Sequence, residues 1–392
     1  MLMPATANNL PMADYRAGPV VGSHAAAPPA LTFPPALNEA SRLPAAFPPF
    51  LDSPLAWSGY QFADPSEYVL TLDELDVEEV ERALRQFKAL GLDGDLVSRE
   101  NFALPALGPR LRQLRLEIHQ GRGFGLIRGL HPQRYSVEDL AMLHLGIQSH
   151  VANRQGRQDS KGNMLVHIVA DSSSAQKALH HRHSTAPITF HNEEAGDIVS
   201  WLTRNTAAKG GKCIIASAYT VYNVMAASRP DLVRALARSD WPFALPRFQC
   251  RPVIFYHHER LITNFGRAAL LGSAGHVRSK GLPELTRSQL EALDMMEEIA
   301  KATQLEIATE AGDIHFINNL AILHRRQGFE NGQSPHERRH LVRMRLRDDE
   351  LAWDIPSDLD KEWTKAFNPE RIKIWHLEPM PDGFFPLRSQ PN

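Results

Sequence analysis

Residues 190–201 read FHNEEAGDIVSW, and the reading of this stretch decides the rest. If the run is extended, His191 and Glu193 project from one face, because side chains on a strand alternate with period two. One imidazole nitrogen and one carboxylate oxygen are then offered to a single metal ion. Glu194 follows directly, so either of two neighbouring carboxylates can serve. Strand parity favours Glu193. Ala195-Gly196-Asp197 reads as a turn into a short apolar strand at 197–201.

Two stretches further along complete the set. GDIHFINNLAILH, residues 312–324, has a Gly-Asp turn, an apolar strand at 313–316 and a second imidazole at His324. RRHLVR, residues 338–343, is a β-prone segment carrying arginines, and a guanidinium fork suits a carboxylate. Two histidines and one carboxylate on one side of a metal are the ligand set of non-haem iron oxygenases. Three protein ligands leave three positions vacant, enough for a bidentate 2-oxo acid and O2.

The surrounding chain alternates short apolar segments with turns, at 165–169, 212–216, 251–256, 261–264 and 340–346. Apolar spacing predicts helices over 71–90, 107–119, 220–237 and 287–303, and a fourth-turn pattern starts one at Ser136, where Asp139 completes a capping box. Residues 121–129, GRGFGLIRG, read as a turn and buried strand. Many short strands with helices mostly at the front predict an α+β fold, a barrel or sandwich flanked by helices. Residues 1–50 are rich in alanine and proline and read as an arm, leaving 51–392 as one domain.

Composition excludes other classes. The 392 residues carry 43 basic and 45 acidic side chains, a net charge of -2, so no nucleic-acid or membrane surface is expected. No apolar run approaches the ~20 residues of a membrane span. The two cysteines, Cys213 and Cys250, form no CxxC pair and are too few for a disulfide framework, which fits a cytoplasmic protein. A small-molecule partner is expected; the oligomeric state is not legible.

From Gly121 to Asp348 the chain resembles the taurine-dioxygenase-like (TauD/TfdA) family of Fe(II)/2-oxoglutarate oxygenases, its fungal members in particular. The likeness runs through GRGFGLIRGL (121–130), RQGRQDSKGNMLVHI (154–168), the HNE region, AAKGGKCIIAS (207–217), the helix at 219–236, GDIHFINNLAILH and RRHLVRMRLRD (338–348). It implies a double-stranded β-helix (jelly-roll, cupin-like) core. It implies Fe(II) held by His191, Glu193 and His324, with 2-oxoglutarate and O2 as co-substrates. Arg339 matches the arginine that receives the far carboxylate of 2-oxoglutarate, Arg343 a second arginine nearby, and Cys213 the position of a hydroxyl residue that assists. Two departures stand out: Glu replaces the usual Asp, and Cys213 is a poorer donor than Ser or Thr.

The implied reaction oxidises a C–H bond of a small metabolite, an amino acid or another carboxylate, by hydroxylation, desaturation or oxidative ring closure in specialised metabolism. A zinc hydrolase on the same ligands is one competitor, and a binding relative without turnover is another. The other candidates have ordinary readings. His180, His181 and His183 read as a solvated loop, His167 and His315 as core histidines, and His257-His258 as a hairpin turn. Arg345 and Arg347 read as outward charges, Asp197 and Asp313 as turn residues, and Asn318 and Asn319 as loop amides satisfying the backbone, with a contact near the metal or substrate as the alternative.

Overall fold

The computed structural model describes residues 42–173, 178–180 and 183–379. Three helices lead. In α1 (Glu74–Ala89), Asp73 caps the amide of Asp76 while Asp76 returns a bond to the amide of Asp73, and Val80, Ala83, Leu84 and Phe87 are buried. This helix starts three residues later than the spacing predicts, because Val69–Thr71 is a strand. In α2 (Gly108–His119), Leu111, Leu114 and Ile118 face inward. Ser136 caps α3 (Val137–Ser149) at the amide of Asp139, but the expected box is half formed: the Asp139 carboxylate goes to Lys88 Nζ at 2.7 Å.

A seven-stranded sheet follows the helices. Its strands are β1 (Val69–Thr71), β2 (Phe124–Arg128), β3 (Arg154–Gly156), β4 (Val166–Val169) and β5 (Ile198–Asn205), with two later strands described below. A second sheet contains β6 (Cys213–Ser217), β7 (Leu305–Ile307) and β9 (Ile322–Arg326), in the order β7-β6-β9. The strands that complete the first sheet are β8 (Ile314–Asn318) and β10 (His340–Arg347). Its order is β1-β2-β8-β5-β10-β3, with β4 also on β10. All pairs are antiparallel except β1 with β2.

Alternation along β5 divides the core in two. Val199 and Trp201 join Ile215 and Leu323 of the second sheet in one cluster, while Ile198 and Leu202 join the helical residues Phe87, Leu111 and Leu143 in another. Strand β10 divides the same way: Leu341 packs between the sheets, and Val342, Met344 and Leu346 pack beneath the helices. Two facing sheets with helices outside form a double-stranded β-helix.

Behind the second sheet lie α4 (Ala218–Ser228), α5 (Pro230–Leu236) and α7 (Arg287–Thr303), whose Met225, Leu232 and Leu293 share that core; the short α6 (Arg267–Leu271) lies between α5 and α7 in the chain. The single helix expected over 220–237 is two, because Pro230 has no amide to donate and opens a new first turn. A final helix, α8 (Ser357–Phe367), was not anticipated. Residues 1–41 of the expected arm lie outside the described residues. Residues 42–50 run onto the body: Phe47 lies 6.1 Å from Tyr222 and 5.8 Å from Tyr256, ring to ring, and the Tyr222 hydroxyl donates to the Pro48 carbonyl. Among the described residues no helix is long and apolar enough to cross a membrane.

The turn into β8 depends on Gly312. Its φ is +96°, and an added Cβ would lie 1.9 Å from the Leu130 carbonyl oxygen. Gly312→Ala is expected to cost about 2 kcal/mol or more, read as a lower urea midpoint with an unchanged slope.

Candidate metal centre

His191 lies outside the regular ladder. Its amide donates to the His324 carbonyl at 3.0 Å, and the His324 amide donates back to the His191 carbonyl at 3.0 Å. This pairing docks the 190–194 segment on β9, so the segment is an isolated bridge rather than the strand expected. The reason is Asn192. Its side-chain amide donates to the carbonyls of Asn319 (2.7 Å) and Ile322 (3.1 Å), and its oxygen accepts from the amide of Phe265 (3.0 Å). These side-chain bonds add to the backbone pairing with His324 on one side and with Phe265 and Gly266 on the other.

Asn319 holds the next residue. Its Oδ1 accepts from the Glu193 amide at 2.7 Å, and its Nδ2 donates to the carbonyls of Glu193 and Gly196, each at 3.0 Å. Asn318 is structural, its amide donating to the Ile118 carbonyl at 3.1 Å.

The three expected ligands converge. Glu193 Oε1 lies 4.0 Å from His191 Nε2 and 3.9 Å from His324 Nε2, and ligand atoms of all three fall within 4.8 Å of one another. Glu194 turns away to Arg345, whose Nη2 is 3.5 Å from its carboxylate. His191 Nδ1 lies 2.9 Å from the Thr189 carbonyl. That acceptor fixes the proton on Nδ1 and leaves the Nε2 lone pair facing Glu193. Burial lowers the pKa of His191, and burial followed by the neighbouring His191 pushes His324 well below its ordinary value. Both imidazoles are therefore neutral at pH 7, the form that ligates a metal.

Arginines surround this centre. Arg343 pairs with Glu193 Oε1 and donates to Gln158 Oε1 at 3.1 Å. Arg345 is buried, with Nη2 3.8 Å from Glu193, which corrects the expectation of an outward charge. The correction follows from parity: positions 341, 343 and 345 share the inter-sheet face, since Val342, Met344 and Leu346 occupy the other. Arg347 points to Asp197 at 3.3 Å.

Beside the ligands lies an inner cavity of about 80 Å3, whose wall includes Trp201, Cys213, Arg326, Arg339 and Leu341. No acidic side chain among the described residues pairs with Arg339. Its guanidinium lies 5.2 Å from the Phe329 ring, and Nη1 has no hydrogen-bond partner. Burial, reinforced by Arg326, lowers its pKa to about 9. Arg326 donates to the carbonyls of Ser184 (2.8 Å) and Ala186. Burial raises the Cys213 thiol to about 12, so it is a neutral wall group. A divalent ion fits the three convergent donors, and a carboxylate fits the orphaned guanidinium nitrogen.

The remaining candidates are structural. His167 Nδ1 meets His340 Nε2 at 2.8 Å, and its Nε2 meets the His376 carbonyl at 2.6 Å. His315 stacks on Trp201 at 4.8 Å. Asp313 takes both arms of Arg128, at 2.9 and 2.8 Å. His258 and Glu259 form the tip of a hairpin. His183 is a correction: it is buried, with Nδ1 3.0 Å from the Val169 carbonyl, where a solvated loop was expected. His181 lies outside the described residues. Sequence reading missed the anchoring role of Asn192 and the inward face of Arg345; parity along β10 would have found the second.

Comparison with known proteins agrees with this geometry. Residues 86–345 match the family model described as taurine catabolism dioxygenase TauD, TfdA family. A taurine hydroxylase-like protein of the fungus Stachybotrys chartarum is 36% identical over 344 residues, covering 84% of this chain and 89% of that one. The chain belongs to this family. It is an oxidoreductase of the iron- and 2-oxoglutarate-dependent dioxygenase class acting on a small metabolite. Among solved structures, an asparagine oxygenase in complex with Fe(II), a hydroxyasparagine and succinate aligns with a TM-score of 0.57 at 18% identity, covering 71% of this chain and 93% of that one. The non-haem iron oxygenase OrfP, in complex with Fe, succinate and a hydroxyarginine, aligns with a TM-score of 0.55 at 13% identity, covering 72% and 94%. At these identities the structures share the fold.

Asn319→Ala removes the anchor of the Glu193 backbone and leaves all three ligands in place. It is expected to weaken Fe(II) binding about 10–100-fold, measured by anaerobic equilibrium dialysis, with an unchanged circular dichroism spectrum.

Proposed function

We propose that His191, Glu193 and His324 hold one ferrous ion, that Arg339 receives the far carboxylate of 2-oxoglutarate, and that Cys213 and Arg343 flank that co-substrate. The observation that carries this reading is a pair: three ligand atoms within 4.8 Å of one another, and, in the adjoining cavity, a buried arginine that pairs with no acid among the described residues. When bound, the ferrous ion and the 2-oxo acid activate O2 for attack on a substrate C–H bond.

The chain's own residues prepare that chemistry. Neutral imidazoles at His191 and His324 donate without first losing a proton. Arg343, bonded to Glu193, limits how the longer carboxylate can swing. This matters because Glu has one more torsion than the Asp usual in the family. Trp201, Leu341 and Ile168 wall the inner cavity and keep water from the co-substrate's carboxylate, so its pairing with Arg339 is stronger than in solvent. The outcome is hydroxylation, desaturation or ring closure of a small metabolite. A zinc hydrolase would use the same three ligands but gives Arg339 no task. Residues 51–392 are read as a single catalytic domain preceded by an arm, in a cytoplasmic protein with no nucleic-acid partner.

Anaerobic addition of Fe(II) and 2-oxoglutarate should give a weak visible charge-transfer band, and O2 should then yield succinate. His191→Ala and His324→Ala should each abolish the band and iron retention. Arg339→Ala should keep iron and raise the 2-oxoglutarate concentration needed for half the band about 100-fold, as loss of a buried charged partner implies. An unchanged requirement would exclude Arg339 as the clamp.

A further inference from the structure

A second, larger cavity of about 540 Å3 adjoins the first, and Ile188, His191 and Glu193 line both. Cavities of this volume hold drug-sized ligands. Its walls are largely apolar, with Phe243, Leu245, Pro246, Phe265 and Leu271 prominent. Arg251 and Asn264 also line it.

Arg251 is 3% exposed. Its Nη2 donates to Asn264 Oδ1 at 3.1 Å, and its guanidinium lies 5.0 Å from the Phe243 ring. Arg251 Nε and Nη1 and Asn264 Nδ2 have no hydrogen-bond partner among the described residues. The nearest acid, Glu362, is 3.8 Å from Nη1 and is shared with Arg247, which holds it at 3.0 Å. Glu194 of the same wall and Asp358 act on Arg251 only from beyond ion-pair distance, so the buried guanidinium has no close acid of its own. Burying such a charge is costly unless an anion joins it.

The acids of this wall are differently placed. Glu193 faces the two histidines and Arg343, and Glu194 faces Arg345. Each already meets a buried guanidinium, so neither offers a free counter-charge to a substrate ammonium group.

We propose that the outer cavity takes a substrate with a bulky apolar body, one carboxylate and no ammonium group, and that Arg251 with Asn264 seats the carboxylate. The inference rests on the reading of His191, Glu193 and His324 as the reacting centre, and it makes Arg251 a specificity-determining residue. It sets this chain apart from the asparagine and arginine chemistry named for its structural neighbours.

The test is calorimetric titration of the protein loaded anaerobically with Fe(II) and 2-oxoglutarate, using three probes of one size: phenylbutyrate, phenylbutyramide and phenylalanine. Phenylbutyrate should bind at least about tenfold tighter than either of the others, as a charge-assisted buried hydrogen bond implies. Arg251→Gln should erase the difference between acid and amide and leave amide binding in place. Equal binding of acid and amide to the unaltered protein, or tighter binding of phenylalanine, overturns the proposal, as does a preference that survives Arg251→Gln. The acid–amide comparison on the unaltered protein requires no variant to fold. The charge-transfer band, followed in the same samples, separates the two readings. Its absence counts against the metal site, while its presence without a carboxylate preference counts against Arg251 alone.

Discussion

Two reciprocal backbone bonds between His191 and His324 are the constraint on which the site depends. They bring together residues from opposite ends of the barrel sequence and set the imidazole centroids 4.3 Å apart. A regular strand at 190–194 would extend the sheet and commit its amides to a ladder. The asparagine anchors free that segment from a ladder and still satisfy its polar groups, which a buried backbone requires. Asn192 and Asn319 extend the hold that the single bridges to His324 and Gly266 begin. The centre can therefore sit at the mouth between two sheets, where the two cavities adjoin.

Strand parity supplies the rest of the geometry. Along β10, even positions feed the helical core, and odd positions bring Leu341, Arg343 and Arg345 into the space between the sheets. One strand thus packs the scaffold and arms the site. A one-residue slip would exchange these faces and bury three arginine or apolar side chains in the wrong layer. The register from Leu341 to Leu346 against β5 is held by six consecutive residue pairs, and the irregularity lies between His340 and Leu341, at the edge of the armed stretch.

The fold class was legible from alternation and glycine turns along the strands, and the convergence of His191, Glu193 and His324 from the resemblance of their motifs to the family's, the spacing of His191 and Glu193 alone being a weak signal. Most of what failed did so for reasons that are not local. Whether residues 190–194 form a ladder depends on Asn319, more than a hundred residues away. Arg345 was read as outward because charge on a strand usually means solvent, yet the opposite face of β10 was already claimed by Val342, Met344 and Leu346. His183 was misread from its histidine-rich neighbours, although burial is set by β4 at Val169. Two local signals were overlooked, the break at Pro230 and the parity of β10 that turns Arg345 inward. The outer cavity draws on α6 and the loops around it, whose sequence carries no periodicity to read.

The buried arginines divide into two kinds, and the division says which belong to the scaffold. Arg115 forms a two-armed pair with Asp348 (2.8 and 2.6 Å), and Arg128 does the same with Asp313. Their acid partners hold both guanidinium pKa values above the ordinary value, so charge and counter-charge are complete within the fold. Arg339 is the opposite case. Burial lowers it, a second arginine adds repulsion, and no acid among the described residues offsets either effect. A scaffold has no reason to carry such a group, because an apolar residue of similar volume would pack there at less cost. The arrangement makes sense if the counter-charge arrives with a bound anion, in which case binding that anion also stabilises the fold. Arg251, sharing one acid with Arg247, is a milder instance in the adjoining cavity. The two cavities thus each present one buried guanidinium to an anion: Arg339, paired with no acid among the described residues, suits the carboxylate of a co-substrate, and Arg251, which shares its close acid, suits one carboxylate on an otherwise apolar body.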